Sequence, residues 1–349
     1  MKIKIAIADT DEVYAKRLFE ALQRQENLFL SVFTDKDMLE KGLAASKYDI
    51  VLFDYSMYSG DNLFKNARLS VLLYDEYKEQ PLIGSGRYKA VKKYQRGSNI
   101  YKEVIGLYSE YVSDPAFLGN SNKQCRVICV YSPAGGSGKT SVAAAMANSI
   151  ANKGRNVMYL NFEPISSYGT FMELNGGKGM GELFSALDGS GSFALKLESL
   201  IKRTPQGIIY FEKFENLLDI YEITAEDIEK LINMIEKSAA ADFIIIDMGT
   251  QFDSINRCIM DISDKIILVE KNDKPEKEKT AAFAAHSTVK REYEHKICTV
   301  INFADGNSDA SSVHYEVVGR IPEKKFSDTE KLIAHICRYS LIDVDALMS

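Results

Sequence analysis

Residues 2–8, KIKIAIA, alternate polar and apolar and then turn wholly apolar, the pattern of a strand running into a core. Through Val13–Arg24 the apolar positions change period, with Tyr14, Leu18 and Leu22 at helical spacing. LFLSVFT at 28–34 predicts a second strand, Lys36–Ser46 a second helix, and Ile50–Phe53 a short buried strand that ends at Asp54. Val71–Leu73, the basic stretch Arg87–Arg96 and a helix over Asn99–Tyr111 complete five predicted βα units in about 117 residues. Strands alternating with helices predict a parallel sheet covered by helices on both faces.

A second series follows. Asp114–Gln124 is rich in turn formers and poor in periodic apolar residues, which puts a linker at 118–124 between domains at 1–117 and 125–349. Beyond it, VICVY (127–131) runs into a glycine-rich turn and an alanine-rich helix. NVMYL (156–160), GIIYF (207–211), DFIIID (242–247), KIILVE (265–270) and KICTVI (296–301) read as further strands. Thr224 and Asp227 have the spacing of a capping box ahead of a helix over Ile228–Ser238. The predicted fold class is therefore α/β, with two doubly wound parallel sheets.

Composition supports two packed domains: 349 residues, 46% hydrophobic and 26% charged. Charge adds more when divided. Lys and Arg number 43 against 49 Asp and Glu; the first 117 residues hold 17 of each, leaving 26 against 32 beyond. Nucleic acid and anionic lipid need a clustered positive field, so no nucleic-acid partner and no membrane insertion are expected. The local run Arg87, Lys89, Lys92, Lys93 and Arg96 reads as a solvated face in preference to a DNA contact, with the interleaved Tyr88 and Tyr94 leaving binding as the alternative. Five scattered cysteines without a CxxC pair fit reduced thiols in a cytoplasmic protein. MKIKIAIADTDE is too charged for a signal peptide.

The candidate chemistry lies at Pro133-Ala134-Gly135-Gly136-Ser137-Gly138-Lys139-Thr140. The run departs from a strict GxxxxGK[ST] pattern, yet it follows a buried strand and opens a helix. Backbone N–H groups and a helix N-terminus converge on phosphate oxygens in that context. Ala134, Gly135, Gly136, Ser137, Gly138, Lys139, Thr140 and Ser141 are the candidate phosphate-binding residues. Lys139 supplies positive charge and Thr140 a hydroxyl for Mg²⁺. Asp247, delivered at the end of an apolar strand, is the second candidate metal residue.

On these residues the second domain resembles the MinD/ParA-type P-loop ATPases over about 125–330. NVMYLNFE (156–163), DFIIID, VINFADG (299–305) and VVGRIPEKK (317–325) extend the likeness. The resemblance implies ATP and Mg²⁺ as cofactors, Lys139, Glu163 and Asp247 as the catalytic set, and Asn302, Ile321, Pro322 and Glu323 around the adenine. It also implies a homodimer. The family's loop begins with a lysine that reaches the partner's nucleotide, whereas here Pro133 holds that position and supplies no charge. Asn161 and Glu163 stand where two aspartates are usual, and DMGTQ (247–251) replaces DxPAG. A missing cation beside developing phosphate charge is costly in rate, so slow or negligible hydrolysis is expected, with nucleotide setting the oligomeric state.

The first domain resembles a response-regulator receiver of flavodoxin-like fold. Asp9, Asp54 and Lys93 match its first acid, phosphoacceptor and lysine. Thr10 replaces the second acid, although Asp11 is close enough to stand in, and Tyr74-Asp75 stands where a small hydroxyl residue is usual. A degenerate receiver used as an interaction module is favoured over a phosphorylation switch. A receiver followed by a MinD/ParA-like ATPase resembles the TadZ/CpaE family, which implies a dimeric hub at a cell pole, bound to pilus assembly or secretion components and a polar landmark. Three rivals lack their signatures. The tail HICRYSLIDVDALMS is no basic membrane helix, the ATPase half is not basic, and cluster-ligand cysteines are missing. A positioning ATPase with substantial turnover and a phosphorylation-controlled regulator remain the alternatives.

Overall fold

The computed structural model describes residues 2–25, 27–60, 62–78, 82, 87–112, 125–176, 178–305, 310–326 and 328–339. By contacts the chain divides into Met1–Leu118 with Asp188–Leu200, and Gly119–Leu187 with Ile201–Ser349. The predicted linker at 118–124 lies outside the described residues.

The first unit is built on strands β1 (Ile3–Ala8), β2 (Leu28–Phe33), β3 (Ile50–Asp54), β4 (Leu69–Tyr74) and β5 (Lys89–Lys92), paired parallel in the order β2-β1-β3-β4-β5. Helices α1 (Glu12–Leu22), α2 (Lys36–Ala45) and α3 (Gly97–Ser109) cover it. Side chains alternate across the sheet, so Ile3, Ile5, Ile7, Leu52 and Val71 pack with Leu18, Leu22, Val104 and Tyr108 on one face, while Ala6, Val51, Phe53 and Leu72 meet Leu39 and Leu43 on the other. The strand order is that of flavodoxin-like sheets, whose ligand sites lie beyond the carboxyl ends of the strands.

Two features of this unit differ from the sequence reading. Five βα units were expected, but β3 leads into a single 3-10 turn at Tyr55–Met57, and no α-helix joins it to β4 among the described residues. Ser59-Gly60, with Gly60 at φ +131°, interrupts the short connection. The second difference is a helix contributed from far along the chain. Helix α6 (Phe193–Leu200) lies in sequence within the predicted 125–349 domain, yet its Leu195 is 1% exposed inside the first unit's core beside Tyr101, Val104 and Tyr108.

The second unit is an eight-stranded sheet. Its strands are β6 (Arg126–Tyr131), β7 (Val157–Asn161), β8 (Lys202–Arg203), β9 (Ile209–Tyr210), β10 (Phe243–Asp247), β11 (Lys265–Lys271), β12 (Ile297–Ala304) and β13 (Glu316–Pro322), in the order β13-β12-β11-β6-β10-β7-β9-β8. All pair parallel except β8 with β9. The apolar runs of β6 and β10 fall at the centre, buried on both faces, as parallel strands must be. Around them lie α4 (Lys139–Asn152), α5 (Met180–Ser185), α7 (Ala225–Ser238), α8 (Ser254–Ile262), α9 (Lys274–Ala285) and α10 (Thr329–Tyr339). The capping box at Thr224 and Asp227 forms as the spacing predicts. GIIYF shrinks to the two residues of β9, and VVGRIPEKK contributes the edge strand β13.

Candidate functional site

The turn between β6 and α4 wraps in the way a phosphate requires. Gly136 (φ +77°) and Gly138 (φ +91°) take left-handed backbone, and Gly138 caps α4, so Lys139 and Thr140 open the helix and its unpaired N–H groups face the loop. A Cβ on Gly135 or Gly136 would meet nothing within 4 Å, so the loop's inner side faces open space. Ala134 donates its N–H to the Ser132 hydroxyl at 3.3 Å, Ser137 is fully buried and Ser141 lies in the first turn. Lys139 is 4% exposed, with its ammonium 4.0 Å from Glu163 Oε1. Pro133 and Ala134 place no cation at the start of the loop.

Asp247 ends β10 level with Val130 of β6 and Asn161 of β7, which puts it beside the phosphate loop. It is fully buried, and its Oδ2 accepts from the Tyr159 hydroxyl at 2.8 Å and the Asn161 amide at 2.7 Å. Burial pushes its pKa up to about 6, only partly offset by the Tyr159 and Thr140 hydroxyls. Asp247 Oδ1 is buried with no hydrogen-bond partner. An orphan carboxylate oxygen beside a threonine hydroxyl and an open phosphate loop fits a Mg²⁺–nucleotide, either directly or through water. Among the described residues no group of three or more His, Cys, Asp or Glu is placed to hold a metal ion.

Asn161 therefore has a local reason to be an amide. Its Nδ2 donates to Asp247 while its Oδ1 accepts the Glu163 N–H at 3.3 Å, tying the segment after β7 to Asp247. An aspartate would set two carboxylates against each other in a buried place. Tyr159, missed by the sequence reading, was reachable by alternation: it lies two residues before Asn161 on one strand and shares its face. Glu276 in the first turn of α9 was also missed. It is 8% exposed, Oε2 has no partner, and burial raises its pKa. The local sequence DKPE reads only as a helix start.

Two of the expected adenine residues, Asn302 of β12 and Ile321 of β13, are paired neighbours in the sheet. Asn302 is buried, but its amide donates to the Ser137 carbonyl at 2.8 Å and its Oδ1 accepts from Phe303 N–H at 3.0 Å, so it braces the phosphate loop. Ile321 is 2% exposed in the core with Ile336, the Pro322 carbonyl meets His335 Nε2 at 3.1 Å, and Glu323 is exposed. Ile321 thus packs in the core, and Asn302 supports the phosphate loop. A Cβ at Gly138 would come within 2.2 Å of Asn302 Nδ2. Gly138→Ala, strained at positive φ as well, is expected to cost about 1–3 kcal/mol of stability and to weaken nucleotide binding at least tenfold, read by denaturant melts and nucleotide titration.

In the first unit Asp9, Asp54 and Lys93 converge at the carboxyl ends of β1, β3 and β5. The Lys93 ammonium, 5% exposed, lies 2.7 Å from Asp9 Oδ2 and 3.0 Å from Asp54 Oδ2, with the Tyr14 ring 4.7 Å away. Lys93 is thus buried although its basic run reads as a solvated face; Arg87, Lys89 and Arg96 are the exposed members. Burial holds Asp9 above the usual carboxylate range despite Lys93. At Asp54 burial acts in the same sense, but hydrogen bonds from Ser56 and Lys93 outweigh it and lower the pKa. Lys93 itself is raised, since its two carboxylate partners overcome the penalty of burial. Asp11 caps α1, its Oδ1 accepting the Tyr14 N–H at 3.0 Å, while its own N–H holds Asp9 Oδ1 at 2.9 Å.

A family described as TadZ-like receiver domains matches residues 1–109, and one described as an AAA domain matches residues 125–275. The chain has the two-domain architecture of the TadZ/CpaE family. Among solved structures, a ParA family ATPase from Chlorobium tepidum TLS is 17% identical, with 64% of this chain and 99% of that chain covered and a TM-score of 0.53. The septum site-determining protein MinD complexed with Mg-ADP from Pyrococcus horikoshii OT3 is 16% identical, covering 64% of this chain and 98% of that one, at a TM-score of 0.48. At such identity the first likeness speaks for the fold. No curated protein matches the chain in sequence. The TadZ/CpaE architecture gives both candidate sites their setting: a receiver sheet closed by its own lysine and a P-loop sheet open at its phosphate turn. No helix among the described residues is long and apolar enough to cross a membrane.

Proposed function

We propose that this chain is a cytoplasmic, polar localisation hub for Tad-type pilus assembly, in which MgATP controls dimerisation and the degenerate receiver docks assembly components and a polar landmark. The observation that carries the nucleotide reading is the phosphate turn, where buried Lys139 and Thr140 open α4 beside the unpartnered Oδ1 of Asp247. Lys139 and the loop N–H groups hold phosphates, Thr140 and Asp247 would hold Mg²⁺, and Glu163 is the carboxylate available to orient water. Mg²⁺ when bound would neutralise phosphate charge.

Slow turnover is supported by the uncharged Pro133-Ala134 and by Asn161, whose amide is committed to Asp247. The degenerate receiver is supported by the Lys93 ammonium lying between Asp9 and Asp54, where a receiver needs room for a metal. With MgATP the full chain is expected to shift toward a dimer in light scattering while releasing phosphate far below the ~1–10³ s⁻¹ of ordinary enzymes. Phosphate release within that range without a partner would favour the positioning ATPase with substantial turnover.

A further inference from the structure

We infer that the chain between Gly179 and Lys202 is an arm that couples the nucleotide site to the receiver core; the inference rests on the nucleotide reading above. Both roots of the arm converge on Glu212, which is 3% exposed. Its backbone carbonyl accepts the Met180 N–H at 3.1 Å, and its carboxylate accepts the Asn175 N–H at 2.7 Å and pairs with the Lys202 ammonium. Gly179 lies so close that a Cβ would come within 2.4 Å of the Glu212 carbonyl oxygen, so only glycine permits this root.

The far end of the arm is part of the receiver core. A Cβ on Gly191 would meet the Ser109 carbonyl oxygen at 2.5 Å, and Ser192 donates its N–H to that same carbonyl at 2.8 Å. Leu195 is buried among the apolar residues of α3, the Tyr101 hydroxyl donates to Glu198 Oε1 at 2.5 Å, and Gly106 lets the Ser199 side chain approach α3. Such packing makes the helix an integral member of the receiver unit, and the same covalent segment is anchored at both ends in the P-loop unit.

Glu212 also adjoins the nucleotide side. Its neighbour Phe211 accepts the Tyr168 hydroxyl on its carbonyl at 3.0 Å, and its other neighbour, Lys213, donates to the Ser166 carbonyl at 2.7 Å. Ser166 and Tyr168 belong to the segment that leaves β7 at Asn161, which is bonded to Asp247. Named bonds and the covalent chain thus run from Asp247 through the segment after β7 and residues 211–213 to the roots of the arm, and the chain carries on to residues 191–199, which are bonded to helix α3. A carboxylate at 3% exposure whose Oε1 holds both the Asn175 N–H and the Lys202 ammonium transmits displacement instead of absorbing it in solvent. The coupling is reciprocal: whatever binds the receiver along α3 shifts nucleotide affinity by the same factor that nucleotide shifts receiver binding.

The test is hydrogen exchange on the full chain, with and without a non-hydrolysable ATP analogue and Mg²⁺, read at residues 97–109 and 193–200. Nucleotide is expected to change exchange there by about threefold or more. The double variant Tyr168→Phe, Lys213→Ala is expected to bind the analogue within about twofold of wild type while losing most of that response. An unchanged response in the double variant, or no wild-type response at α3 and α6 with nucleotide bound, overturns the arm and leaves the nucleotide reading standing. Absence of nucleotide binding, measured separately by titration with a fluorescent analogue, overturns both.

Discussion

Lys139→Ala is expected to abolish the thermal stabilisation that MgATP gives the wild-type chain. A ligand at about 100 times its dissociation constant stabilises a protein by about 2.7 kcal/mol. At roughly 2–4 °C per kcal/mol for domains of 150–250 residues, the wild-type melting temperature should rise by about 5–10 °C. The lysine carries this because it is 4% exposed at the first position of α4, with Glu163 Oε1 as its nearest charged partner at 4.0 Å. Phosphates would replace that distant contact with charge-assisted hydrogen bonds, roughly twice as strong as neutral ones. Without the ammonium, the loop N–H groups and helix N-terminus remain, worth about 0.3–1 kcal/mol for an exposed anion. Lys139→Met, which preserves the packing of the aliphatic stem, should behave like the alanine variant. A full MgATP shift in either variant, measured by scanning calorimetry, would place the nucleotide elsewhere.

Much of this site was legible in the sequence because glycine and charge leave few conformational choices there. A glycine run between a buried apolar strand and an alanine-rich helix has few foldings other than the loop seen, and Asp247 is fixed by the strand that precedes it. Asp9 and Asp54 were likewise legible as strand-ending acids. Lys93 could be drawn from its basic run only by analogy; what buries it is the alternation in KAVK, which turns Val91 inward and brings the chain to the sheet's carboxyl edge two residues later. Other features were out of reach. Phe193, Leu195, Leu197 and Leu200 announce an apolar helix face, but no local pattern says which of two cores receives it. Asn302 illustrates another limit: a motif fixes where an amide sits, whereas its rotamer is decided by the nearest unsatisfied carbonyl, here that of Ser137.

The receiver triad gives the second large effect. Lys93→Met removes the ammonium that lies between Asp9 and Asp54 and leaves a 1%-exposed carboxylate facing another acid. Breaking a buried ion pair from one side costs about 3–5 kcal/mol, so the receiver unit should lose that much stability at pH 7. The pH dependence has a definite sign. In the wild type the lowered Asp54 contributes stability that is present above its ordinary pKa and lost as pH falls, and the raised Lys93 contributes stability lost only as pH rises past the lysine range. Asp9, already raised by burial, works the other way, binding its proton more tightly when folded. In the variant two carboxylates share the site without a counter-charge, so one of them holds a proton well above the ordinary carboxylate value. The variant therefore regains stability as pH falls from 7 toward about 5, while the wild type does not, and the gap between them narrows. Denaturant melts at both pH values read this directly. A gap that stays constant with pH would mean that Lys93 acts through packing alone and that the two acids do not share its charge.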